Sequence, residues 1–105
     1  MIGIVFATQR EAKPLLDRCE AVVLTRSPFA LYRIKLGRLA SCLVIISNMG
    51  KVAAALAASY LVLGRQVKIL ISAGLCGRLA LVHDWQVGEL FRITHAVEGD
   101  CDRLG

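Results

Sequence analysis

Residues 52–63 form a run that is apolar at every position except Ser59. Read as a helix, this segment is hydrophobic all the way round, and such a helix has to be covered on most of its surface. At 1.5 Å per residue it extends about 18 Å, well short of the roughly 30 Å hydrocarbon core of a bilayer. Protein, not lipid, must therefore do the covering. With 56% of its 105 residues apolar, the chain suits one domain, residues 1–105, whose sheet is buried on both faces or whose surface is completed by a partner.

The remaining periodicities supply that sheet. Residues 2–6, "IGIVF", are a short apolar run suited to a buried strand. Thr8 is placed to cap a helix over 9–19, in which Ala12, Leu15, Leu16 and Cys19 fall on one face; Pro14 lies early, where its missing N–H costs least. Residues 21–25 read as a strand and 26–28 as a loop. Tyr32, Ile34 and Leu36 alternate with Arg33 and Lys35, and a turn at Gly37 and Arg38 leads into the apolar 39–46, which predicts a hairpin. A strand over 67–71, a glycine-bearing loop over 73–78 and a strand near 89–96 complete the order. The whole reads as α/β, a mixed β-sheet flanked by helices.

Charge and cysteine usage exclude several functions. The net charge of +5 is carried by dispersed basic residues without interleaved aromatics, which argues against nucleic acid as a partner. Cys19, Cys42, Cys76 and Cys101 contain no C-x-x-C pair, so reduced, mostly buried thiols are expected, with no disulfide, metal or other cofactor. No secretory leader or membrane segment is read, and the cytoplasm is the expected compartment.

Three local features are candidates for chemistry. In "SNMGKV" the Gly50-Lys51 pair lacks the earlier glycine and following hydroxyl of a phosphate-binding loop. Ser47 or Asn48 as helix cap, with Gly50 allowing close backbone approach, explains it better. In "SAGLCGRL", Gly74 and Gly77 follow an apolar strand, the place where open α/β sheets carry ligands; a plain glycine turn gives the same pattern. Glu11 opens the first helix, where the helix dipole favours a carboxylate and a general base would also be well placed. Cys76 is read as packing, and His83 and His95 as surface or sheet residues.

Taken in order, "MIGIVFATQREAKPLLDRCE", "SNMGKVAAALAASYLV" and "VKILISAGLCGRLALVHDWQVGELFRITHA" resemble the purine nucleoside phosphorylase/uridine phosphorylase superfamily, nearest its 5′-methylthioadenosine/S-adenosylhomocysteine nucleosidase branch. The resemblance implies a partial nucleoside phosphorylase-like fold, corresponding to the N-terminal half. It also implies cleavage of the N-ribosidic bond of a purine nucleoside, with water as acceptor in nucleosidases and phosphate in phosphorylases. By the same resemblance Glu11 is the general base, Ala7 and Thr8 form the pocket wall beside it, and Met49 meets the 5′ side of the ligand. Ala73, Gly74, Leu75, Cys76 and Gly77 form the loop around base and ribose.

The sequence departs from that pattern at three points. Leu75 stands where the family usually carries a serine, and Ser72 where phosphorylases place a phosphate-binding arginine, which disfavours phosphorolysis. The family's ribose-binding glutamate and base-protonating aspartate belong to a later half of the fold. Acid–base groups contribute about 10²- to 10⁴-fold each, so a chain carrying only Glu11 is expected to be nearly inert. The alternative is a non-catalytic binding or assembly module derived from the same fold. For the N-terminal half, the apolar excess marks the face where the rest of the fold belongs and predicts a homo-oligomer that covers it.

Overall fold

A computed structural model describes residues 1–37, 40–77 and 86–96. Strand β1 (Ile2–Phe6) leads into helix α1 (Gln9–Arg18), followed by β2 (Val22–Thr25), β3 (Ala30–Leu36) and β4 (Ala40–Ile46). Helix α2 (Lys51–Ser59) continues as one π-helical stretch, Tyr60–Gly64, before β5 (Ile69–Ser72). The five strands form one sheet in the order β2-β3-β4-β1-β5. It is mixed, as the sequence predicts: β2, β3 and β4 run antiparallel, while β1 lies parallel to both β4 and β5.

Period-two alternation along β4 divides the core. Cys42, Val44 and Ile46 face one side with Ile4, Phe6, Tyr32 and Ile34, under Ala12 and Leu16 of α1. Leu43 and Ile45 face the other, with Leu31, under Ala57, Leu61 and Val67. The near-continuous apolar sequence of β4 follows from this burial on both faces. Gly3 lies beneath the second layer, and a Cβ there would meet Leu61 Cδ1 at 2.9 Å and Val67 Cγ1 at 3.0 Å. The Tyr32 hydroxyl donates to Gln9 Oε1 at 3.2 Å, tying α1 to the hairpin.

Four expectations are corrected. Neither Ser47 nor Asn48 caps α2: Gly50 does, at φ +111°, without a side-chain hydrogen bond. Ser47 is buried, its N–H donating to the Phe6 carbonyl at 2.9 Å and its hydroxyl to the Asn48 carbonyl at 2.8 Å, and both Ser47 and Asn48 lie too early in the chain, since the helix begins at Lys51 directly after Gly50. Gly50 supplies its positive φ rather than close packing, since nothing lies within 4 Å of a Cβ placed there. The predicted strand near 89–96 is irregular and exposed in the structure; no described strand pairs with it. Cys76 is exposed rather than packed. His83 and Cys101 lie outside the described residues, and His95 is exposed beside Thr94 Oγ1 at 3.1 Å.

The cover over α2 is partial. Of its five alanines only Ala57 is buried, and Val52, at 74% exposure, and Leu56 project outward. Strand β5 pairs only with β1 among the described strands, and Ile69, Leu70 and Ile71 are all exposed. No described helix is long and apolar enough to cross a membrane.

Candidate active site

The site is built where parallel strands end together. Register pairs Phe6 with Ile46 and Val5 with Ser72, so β1, β4 and β5 release their chains at the same edge. In open α/β sheets that carboxyl edge is where ligands bind. Helix α1 begins there on one face of the sheet, and residues 73–77 leave β5 beside it.

Thr8 sets the first turn of α1. Its extended backbone (φ −130°, ψ 154°) makes it the N-cap, and its hydroxyl accepts from the Glu11 N–H at 3.2 Å. Glu11 reaches back, its Oε1 accepting from the Thr8 N–H at 3.2 Å and the Thr8 hydroxyl at 3.1 Å. This is a complete capping box, in which side chain and backbone satisfy one another's orphan groups. On the other side, the Ala73 N–H donates to the Val5 carbonyl at 3.0 Å, carrying the β1–β5 pairing one residue past the strand. That bond holds the next two residues over the start of α1.

The two parts meet at a single carboxylate. Glu11 Oε2 accepts from the Leu75 N–H at 2.9 Å, across 64 residues of sequence. A Cβ on Gly74 would stand 2.8 Å from the same oxygen, so the carboxylate fills the space that glycine leaves open. The Leu75 N–H holds the Glu11 carboxyl below the usual carboxylate range. Partial burial opposes it, and the Thr8 hydroxyl with the Thr8 and Ala7 backbone adds to the lowering. Glu11 is thus an anion at neutral pH, able to accept a proton from water or a sugar hydroxyl.

The other sequence candidates fall at varying distances from this centre. Ala7 and Thr8 are half-buried beside Glu11, and Ala73 packs against the core layer under α1. Met49, at 80% exposure, lies on the connection after β4; Leu75, at 85%, Cys76 and Gly77 are exposed on the connection after β5. Leu75 contributes through its backbone N–H, a role no side-chain pattern encodes. A separate hollow of about 300 Å³, lined by Cys19, Glu20, Val22, Arg33, Ile34 and Lys35, lies at the far end of α1. Eight residues of helix, about 12 Å, separate it from Glu11, so it is not part of this site.

The sequence profile of the phosphorylase superfamily matches residues 1–104. No curated protein matches the chain. Among solved structures, similarity is found to a 5′-methylthioadenosine/S-adenosylhomocysteine nucleosidase from Colwellia psychrerythraea in complex with adenine. It is 26% identical, with TM-score 0.61, covering 68% of this chain and 29% of that one. The S-adenosylhomocysteine nucleosidase of Streptococcus pyogenes, in complex with 5-methylthiotubericidin, is also 26% identical, with TM-score 0.69, covering 77% and 34%. A futalosine hydrolase mutant of Helicobacter pylori shares the fold at 23% identity and TM-score 0.66, covering 81% and 36%. The chain spans about a third of the length of these structures.

Proposed function

Because the chain belongs to the phosphorylase superfamily, we propose that it supplies the Glu11-bearing wall of a purine-nucleoside pocket. In this reading it is the N-terminal half of a cytoplasmic nucleosidase that hydrolyses the N-ribosidic bond. The observation that carries it is the 2.9 Å hydrogen bond from the Leu75 N–H to Glu11 Oε2, which brings base and loop to one edge of the sheet. Glu11 takes a proton from water as the water oxygen bonds to the anomeric carbon. The C–N bond breaks with its electron pair going to the base, which needs a proton from a group beyond those identified in this chain. Ser72, in place of an arginine, leaves phosphate without a charged partner there and favours water as acceptor.

Ala7 and Thr8 line the wall, Met49 meets the 5′ substituent, and residues Ala73, Gly74, Leu75, Cys76 and Gly77 border base and ribose. The test is titration of this chain and of Glu11→Gln with 5′-methylthioadenosine. The Thr8 and Leu75 amide resonances and adenine release are followed together. Saturable shifts and slow release in the parent, both reduced in the variant, are expected. Equal, near-zero release in the two chains retires the catalytic role of Glu11.

A second reading, a non-catalytic binding or assembly module, is favoured by the apolar side chains left exposed on α2 and β5 and by Leu75 in the serine's place. It predicts nucleoside binding or self-association without adenine release. Under both readings the exposed faces of α2 and β5 are association surfaces, and a homo-oligomer covers them.

A further inference from the structure

We propose that Thr8 is the positioning residue of the Glu11 carboxylate: it immobilises Oε1, so that Oε2 alone is presented to the 73–77 loop. The inference rests on the nucleosidase reading for its purpose, but its geometry stands independently. Both donors of Thr8, N–H and hydroxyl, converge on Oε1 at 3.2 and 3.1 Å. The same hydroxyl accepts from the Glu11 N–H at 3.2 Å, so its one proton is committed to the carboxylate and a lone pair to the backbone. Oε2 has a different partner on a different element, the Leu75 N–H at 2.9 Å.

A capping box ordinarily faces solvent, and a glutamate's terminal torsion is broad and roughly two-fold. With Oε1 held at two points that torsion is fixed. A water or ribose hydroxyl arriving from the loop side meets Oε2 and competes with one N–H. Among the described residues the influences on Glu11 are hydrogen bonds and partial burial, and these donors orient it.

The test uses the full chain and its Thr8→Ala and Thr8→Ser variants, followed by carboxyl and amide nuclear magnetic resonance from about pH 3 to 7. In the parent, the Thr8 and Leu75 amides shift with one shared midpoint, that of the Glu11 carboxyl. In Thr8→Ala that midpoint rises and the pH-linked shift of the Leu75 amide is lost, whereas Thr8→Ser keeps both. A purely structural cap gives a different result: α1 frays in Thr8→Ala while the Leu75 amide still follows Glu11, and this overturns the proposal. If Thr8→Ala does not fold, a parent chain whose Thr8 and Leu75 amides titrate apart overturns it equally. None of these readouts involves a nucleoside, so failure to bind 5′-methylthioadenosine counts against the nucleosidase reading alone.

Discussion

The carboxylate of Glu11 occupies the space where Gly74 has no side chain, with Oε2 2.8 Å from the position a Cβ would take. A Cβ at 74 therefore crowds the very oxygen that accepts from the Leu75 N–H, and the flexible end of Glu11 has to shift to admit it. The opening at Gly74 is thus filled by a carboxylate from another element, and no positive φ accounts for the glycine.

Gly74→Ala should accordingly break the site while sparing the fold. Position 74 is exposed, so the Glu11 carboxylate can swing into solvent. The loss amounts to one net hydrogen bond, about 1 kcal/mol. The expected result is a small fall in Tm, loss of the Leu75 amide's response to Glu11 titration, and weaker binding of 5′-methylthioadenosine. Gly77→Ala is the control: nothing lies within 4 Å of its Cβ position, and all three measurements should match the parent. A parent-like Leu75 amide in Gly74→Ala would contradict the contact.

The Glu11 bonds also set a direction for acid stability. Its folded value is depressed below the ordinary 4.5 by the Leu75 N–H first, then by the groups of Thr8 and Ala7. A depressed carboxylate contributes stability that is complete above its unfolded value and disappears as pH falls through the folded one. Urea titrations of the parent and Glu11→Gln should therefore differ by a constant amount from neutral pH down to about pH 5 and converge below it. A gap that widens on acidification would reverse the sign.

What was legible in the sequence was whatever a residue's neighbours decide. The apolar run of β1, the Thr8 cap with its stripe of Ala12 and Leu16, and the alternation of Tyr32 and Ile34 across the hairpin each follow from local period and capping chemistry. The strand expected near 89–96 failed because a strand is a pairing event. Leu90 and Ile93 are apolar, yet no described strand pairs with this segment. The start of α2 failed for a different reason: the helix begins at Lys51 after Gly50 at φ +111°, so Ser47 and Asn48 lie too early to cap it, and cap-forming residue types do not fix that boundary. Glu11 was legible as a candidate from its place at a helix start. That its partner would be the N–H of Leu75 was not, because a backbone donor leaves no mark in the sequence.

Packing between β1 and α2 gives an independent test of the fold. In Gly3→Ala the new methyl stands 2.9 Å from Leu61 Cδ1 and 3.0 Å from Val67 Cγ1. Leu61 is fully buried and Val67 nearly so, and a β-branched valine has few rotamers to yield with. Overpacking of this kind costs about 1–3 kcal/mol. Thermal unfolding should register it as a lowered Tm with the Glu11–Leu75 contact intact. An unchanged Tm would mean that the second core layer is looser than described.

Thiol reactivity should follow burial. Cys42 is fully enclosed, and burial pushes its thiol up, with the chain's amino terminus opposing and Cys19 adding to the rise. Cys76 is exposed and Cys19 half-buried. Among the three described cysteines, alkylation of the native chain followed by peptide mass mapping should therefore modify Cys76 first and Cys19 more slowly. Cys42 should react only in denaturant. Early modification of Cys42 would place it outside the core.

The last prediction concerns the apolar faces. Val52, Leu56 and Leu63 project from the helical segment, and Ile69, Leu70 and Ile71 from β5, without described cover. Exposed apolar surface in water drives association, and the edge of β5, which no other described strand pairs, adds a template for it. Sedimentation velocity should show the parent self-associating as concentration rises. Leu56→Glu puts a charge on the outward side of α2 away from Ala57 and Leu61, so the core should survive while the apparent dissociation constant rises about tenfold or more, some 1.4 kcal/mol. If the parent remains a clean monomer at high concentration, these faces are not association surfaces and the homo-oligomer is wrong. If the parent associates and Leu56→Glu does so equally well, α2 is not the surface and β5 remains.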